Sequence, residues 1–193
     1  MTDSIEHNVT PRPRLYLDVD GCLCPFRSPE PAWGGAKRTS VTLNDSSGPT
    51  GRFKIVWAPA LIVALDGLRN QFDLDLVWLT TWNQLDAARN TLVPKFNGLA
   101  GGRTLAPIPG PLAPGEARGY WKAQRILEDQ AENPGPYIWI DDVEVELHGG
   151  KVQAATIGTP SLMIPPISMV GLRVNEIERR RVWLHAQAAN EGV

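Results

Sequence analysis

The chain has 193 residues, 42% of them apolar and 21% charged, which is ordinary for a globular protein with enough length to bury a real core without disulfides or metals. Its 19 basic and 21 acidic side chains leave a net charge of −2, so there is no global field to draw in nucleic acid or an anionic membrane, and only a local patch could do so. No run approaches the roughly 18 apolar residues of a membrane helix, and the opening MTDSIEHNVTPRPR lacks the apolar stretch of a signal peptide, so a cytoplasmic protein with no membrane partner is expected.

Residues 1–13 read as a flexible tail, with Pro11 and Pro13 keeping it extended, and 14–193 as a single domain. The run 15–17, extending into Asp18, reads as a short buried strand. Cys22 and Cys24 are the only cysteines; two residues apart and far from any histidine, they read as buried thiols near the strand end rather than as a disulfide or a two-cysteine metal site. Residues 25–57 form a flap, in which 39–43 alternates, Asn44-Asp45-Ser46-Ser47-Gly48 signals a turn, and 53–57 pairs back as a hairpin. A helix fits 59–71, with Pro59 near its first turn and Leu61, Leu65 and Leu68 on one face. Residues 74–79 make a second buried strand running into Thr80-Thr81. A helical pattern over 83–93 is stopped by Pro94, and 97–118 reads as a Gly- and Pro-rich loop. A helix follows over 119–132, then a third buried strand over 137–140 that ends in Asp141-Asp142. His148 with Gly149-Gly150 suggests a surface turn. A weaker strand at 161–164 precedes a last helix over 173–189, expected to turn Ile177, Val182 and Leu184 inward and Arg179-Arg180-Arg181 partly outward.

Strands alternating with helices define an α/β chain with a parallel sheet covered on both faces, a three-layer Rossmann-like arrangement. Such sheets bind ligands at the carboxyl ends of their strands, and three strands here end in polar pairs: Asp18/Asp20, Thr80/Thr81 and Asp141/Asp142. Side chains two apart on an extended chain share one side, about 6.5–7 Å apart, so Asp18 and Asp20 could flank one phosphoryl group. With Asp141 or Asp142 they could share a hard cation such as Mg2+, which favours oxygen ligands and keeps places for substrate phosphate. Gly21 lets the backbone turn sharply and approach closely. Thr80 offers a hydroxyl, and Lys122 a positive charge.

These segments resemble the haloacid dehalogenase-like (HAD) superfamily of phosphotransferases. LYLDVDG looks like its first motif, LVWLTT its second, Lys122 in GYWKAQ its third and YIWIDD its fourth. The resemblance implies a HAD-like fold, with Asp18 as nucleophile, Asp20 as general acid/base, Thr80 and Lys122 as phosphate-holding groups, and a Mg2+ site drawn from Asp18, Asp20, Asp141 and Asp142. An Asp at position 20 points to phosphatase rather than dehalogenase or ion-pump chemistry. A narrower similarity, carried by VWLTTWNQLDAARN, the WK pair, WIDD and GLRVNEIERRRVWL, is to the small HAD domains of bacterial RNA-repair (Swiss Army Knife) proteins. Cys22 and Cys24 stand where Val or Leu and a polar residue are expected, and Asn83 where relatives often carry Glu.

The flap 25–57 and the loop 97–118 are too short for a full cap domain, and an open site suits a large substrate. Within 25–57, Arg27, Lys37, Arg38, Arg52 and Lys54 outnumber Glu30 and Asp45, five against two. Trp33 and Trp57 in the same stretch either stack on bases or pack beneath the flap. Gly21, Thr81, Arg52 and Lys54 are therefore the candidate substrate contacts. The expected function is a Mg2+-dependent phosphohydrolase with an aspartyl-phosphate intermediate, acting on nucleic-acid ends or nucleotides. The alternatives are a small-molecule or phosphoprotein phosphatase and a non-catalytic phosphate-binding module.

Overall fold

The structure is a computed structural model, and it describes residues 11–45, 48–107 and 120–190. Residues 1–10 of the expected tail and 108–118 of the expected loop fall outside that range. Five strands, β1 (Arg14–Leu17), β4 (Asp75–Trp78), β5 (Arg103–Thr104), β6 (Tyr137–Ile140) and β7 (Ser161–Met163), form one parallel sheet in the order β5-β4-β1-β6-β7. Between β1 and β4 the chain inserts an antiparallel hairpin of β2 (Lys37–Asp45) and β3 (Gly48–Trp57). The helices are α1 (Pro59–Phe72), α2 (Val93–Phe96), α3 (Tyr120–Glu132), α4 (Glu144–Ala155) and α5 (Val174–Asn190). This is an α/β Rossmann-like sheet of the HAD type. Among the described residues no helix is long and apolar enough to cross a membrane.

Period-two alternation builds the three layers. Leu15 and Leu17 of β1, with Leu76, Trp78, Ile138 and Ile140, face one side and pack with Leu61, Ile62, Leu65 and Leu68 of α1 and Ile177 and Leu184 of α5. Tyr16, Val77, Leu79, Tyr137 and Trp139 face the other side against Ala123 and Ile126 of α3 and Val145 and Val152 of α4. A fully buried Leu or Ile contributes about 1.5–3 kcal/mol by leaving water, so these alternating sets fix the register. Leu17 pairs with Trp78 on one side and Ile140 on the other. The chain leaves β1 toward β4 and later crosses to β6, so β1 sits at the point where strand order reverses, and its carboxyl end opens there.

Several elements differ from the sequence reading. The segment expected as a turn at His148 is the helix α4. Adjacent glycines weaken a helix, but a Cβ on Gly149 would stand 3.1 Å from Met163 Sδ, so the small residue lets α4 lie close over β7. Pro94 does not stop a helix: a π-helical segment, Ala88–Leu92, leads into α2, where Pro94 occupies the first turn and its missing N–H is tolerated. On α5 the buried face is Ile177, Arg180 and Leu184, spaced three and four apart, whereas Val182 is 69% exposed. Helical period prevails over hydropathy there. Trp57 packs edge-on against Phe96 with ring centroids 5.6 Å apart, and Trp33 Nε1 donates to Leu172 O at 2.8 Å. Both tryptophans are engaged with the body of the domain.

Candidate active site

The end of β1 turns tightly because Val19 O accepts amides from Cys22, Leu23 and Cys24 at 3.2, 2.9 and 2.9 Å, while Gly21 N donates to Cys24 O at 2.9 Å. Gly21 has a φ of 68°. A Cβ there would lie 2.0 Å from Asp142 Oδ2, so both backbone conformation and the approach of a carboxylate require glycine at this position. Asp18 N still donates to Ile140 O at 3.0 Å. The first carboxylate therefore leaves the sheet next to the end of β6.

Lys122, in the first turn of α3, reaches across this edge. Its Nζ donates to Asp18 Oδ2 at 2.6 Å and to Asp141 Oδ2 at 2.5 Å, with all three side chains buried. Asp18 Oδ1 accepts from Val19 N at 2.7 Å. Asp141 Oδ1 accepts the amides of Val143 at 2.9 Å and Glu144 at 2.6 Å, satisfying donors at the start of α4. Glu144 in turn accepts from Lys122 N at 3.3 Å and Ala123 N at 3.0 Å at the start of α3. Asp141 thus caps α4 and Glu144 of α4 caps α3, and together these carboxylates hold the lysine on Asp18. The sequence reading missed Glu144; its spacing, three residues after Asp141 at a helix start, was the available signal.

Asp142 is engaged differently from Asp141. It is buried, and its Oδ2 has no hydrogen-bond partner. Donor atoms of Asp18, Cys22 and Asp142 all lie within 4.8 Å of one another. Burial pushes the Asp18, Asp20 and Asp142 carboxyls above the usual range; the Lys122 charge opposes the rise at all three, and the Trp82 hydrogen bond opposes it at Asp20. Burial likewise takes Glu144 up to about 7, against the pull of the Ala123 amide. Burial disfavours the charged form of Lys122, yet the Asp18 and Asp141 charges outweigh it and hold the ammonium well above its ordinary value. One cation faces a larger set of crowded carboxylates. An orphaned, buried carboxylate oxygen and an oxygen-rich donor set fit a divalent cation such as Mg2+.

Asp20 turns away from that cluster. Its Oδ2 accepts from Trp82 Nε1 at 2.9 Å, and Trp82 packs edge-on against Phe53 of β3 with centroids 5.4 Å apart. Trp82 is the second residue that the sequence reading left without a role. Thr80 is fully buried at the end of β4, where its hydroxyl accepts weakly from Trp82 N at 3.5 Å. Asn83 Nδ2 ties the end of β4 to the segment after β5, donating to Trp78 O at 2.7 Å and Leu105 O at 2.9 Å.

A cavity of about 1060 Å3 opens beside Asp20, beneath the hairpin. Arg38, Arg52 and Lys54 from the hairpin, Arg27 from the segment before it, and exposed Thr81 line it, with Phe26 and Phe53 as partly exposed aromatic surface. Asp20 is the only carboxylate among the described residues lining this space. Of the candidate contacts, Thr81, Arg52 and Lys54 share this cavity, while Gly21 lies under Asp142 in the acidic cluster.

A parallel sheet whose central strand carries Asp-x-Asp-Gly toward a buried lysine and an acidic pair is the arrangement of the HAD superfamily of phosphatases and related hydrolases. Within it, the chain belongs to the family described as the HAD domain in Swiss Army Knife RNA repair proteins, whose model matches residues 14–162. Neither the curated proteins nor the solved structures provide a match.

Proposed function

We propose that the protein is a Mg2+-dependent phosphohydrolase that works through an aspartyl-phosphate on Asp18 and acts on phosphorylated nucleic-acid ends or nucleotides. The observation that carries this reading is the meeting of Asp18, Lys122, Asp141 and Asp142 at one sheet edge, with Asp20 turned toward a cavity lined by cations. Asp18 attacks phosphorus in line, and the ester oxygen leaves on the Asp20 side. Asp20, held by the Trp82 indole, protonates that oxygen and then takes a proton from the water that releases phosphate. Lys122 balances charge on Asp18 and on the transferring group, and Thr80 with the Asp20 amide holds the phosphoryl oxygens. Asp18 and Asp142, whose Oδ2 has no hydrogen-bond partner, would hold the Mg2+, with Asp20 and Asp141 nearby; Asp141 also fixes the lysine and caps α4. When bound, the ion neutralises charge between the carboxylates and the phosphate.

The cavity beneath the hairpin receives the leaving group. Arg38, Arg52 and Lys54 offer phosphate contacts and Phe53 an aromatic face, which supports a nucleic-acid end over a compact metabolite. Residues 14–193 act as one unit in this reading, with 25–57 as the substrate-facing flap. The test is the double variant Arg52→Glu, Lys54→Glu. Hydrolysis of a small aryl phosphate is expected to persist, while kcat/KM on a phosphorylated oligonucleotide falls by more than about tenfold and its salt dependence flattens. Equal losses on both substrates would remove the nucleic-acid assignment.

A further inference from the structure

The acidic cluster contains one group with no part in that mechanism. Cys22 is fully buried and is held in the turn after β1 by its amide bond to Val19 O. Its Sγ lies within 4.8 Å of donor atoms on both Asp18 and Asp142. A tetrahedral ion with bonds of about 2.3 Å to sulfur and about 2.0–2.2 Å to oxygen holds its ligands roughly 3.6 Å apart, so a closure of up to about 1 Å would complete the set.

One further observation points the same way. Asp142 Oδ2 is buried without a hydrogen-bond partner, which leaves a lone pair free for a cation beside the thiol. Cys24, two residues on, is not part of the cluster and lines the substrate cavity instead.

We propose that Cys22 is a third protein ligand at the cation centre it forms with Asp18 and Asp142, so that this centre takes thiophilic divalent ions, of which Zn2+, Co2+ and Cd2+ are the class, through a metal–sulfur bond. Soft thiolate donors select such ions, whereas Mg2+ is held by oxygen alone. As the bond forms, the thiol proton passes to solvent and no electrons are transferred. The inference rests on reading this edge as a cation centre, and the two can fail separately.

The experiment is a titration of the full-length protein with Co2+, following the near-ultraviolet charge-transfer band that only a cobalt–thiolate bond produces, in wild type, Cys22→Ser and Cys24→Ser. Zn2+ competition gives the relative affinities. Wild type and Cys24→Ser are expected to develop the band, saturating at one ion per chain. Cys22→Ser is expected to lack it and to bind Zn2+ more than about tenfold more weakly. Thermal melts establish that the variant is folded, and Cys22→Ala is measured in the same way should the serine variant unfold. Stoichiometric Co2+ binding without the band, or a band that survives in the Cys22 variants, overturns the proposal. If wild type shows Mg2+-dependent phosphate release yet no band, the Cys22 assignment fails alone; if no divalent ion binds, the cation-centre reading fails with it.

Discussion

Replacing Trp82 by Phe removes a single donor, the Nε1–H that sits 2.9 Å from Asp20 Oδ2, while keeping an aromatic ring against Phe53. A hydrogen bond to a charged group is worth about 1.5–3 kcal/mol. At about 1.4 kcal/mol per tenfold in rate, that predicts a fall of roughly 10- to 150-fold wherever Asp20 must deliver a proton, within the 10²–10⁴ that general acid catalysis supplies. The fall should depend on the leaving group. An alkyl or nucleoside phosphate needs its departing oxygen protonated and should lose the full amount in kcat/KM. A p-nitrophenyl ester leaves as a stable phenolate and should lose far less. The assay is therefore the slope of log kcat/KM against leaving-group pKa, which should steepen in Trp82→Phe. A uniform loss across the series, with an unchanged slope, would show that Trp82 acts only through packing and would refute the role given to its indole.

Removing the Glu144 cap beside the lysine should be felt in both stability and turnover. Glu144→Ala deletes the acceptor of the Lys122 and Ala123 amides, at a cost of about 0.5–2 kcal/mol; for a chain of this size that lowers Tm by about 1–8 °C, and kcat should fall with it because Lys122 shares that turn. An unchanged Tm would contradict the capping account. Two turns further along α3, Asp129 accepts from Tyr16 Oη at 2.5 Å and Arg103 Nη2 at 2.6 Å, with Arg14 Nε at 3.6 Å. Burial opposes its ionisation, but these hydrogen bonds and the arginine charges hold its carboxyl below the usual range. Its stabilisation is therefore full above the unfolded carboxyl pKa of about 3.9 and is lost as pH falls below it, through the depressed folded-state value. Unfolding free energies from urea titrations of wild type and Asp129→Asn should differ by about 3 kcal/mol near neutral pH and draw together as pH falls well below about 4; a gap independent of pH would count against the network.

The strand ends were legible because the chemistry and the pattern coincide: buried apolar runs stop at Asp18, Thr80 and Asp141, and a parallel sheet gathers those stops at one edge. The hairpin was legible from alternation around a turn signal. What the sequence hid depended on contacts between distant elements. Gly149 looks like a helix breaker until Met163 is seen beneath it. Arg180 looks solvated until α5 is turned by its period onto the core. β5 has only Arg103 and Thr104, too short to give an alternating signal. Asp141 and Asp142 are adjacent and chemically identical, and only the geometry separates them, one committed to Lys122 and to α4, the other left with an unpartnered oxygen. Trp82 and Glu144 escaped notice because each acts on a residue remote in sequence, Asp20 and Lys122.

The central claim is that Asp18 is the nucleophile of a Mg2+-dependent phosphohydrolase. It is tested most directly by phosphate release from 3′- and 5′-phosphorylated oligonucleotides and an aryl phosphate, with and without Mg2+, for wild type and Asp18→Asn. Release that requires Mg2+ and drops to background in a folded Asp18→Asn protein is the expected result. Release that continues at the wild-type rate in that variant, or that is indifferent to Mg2+ removal by a chelator, would contradict the account.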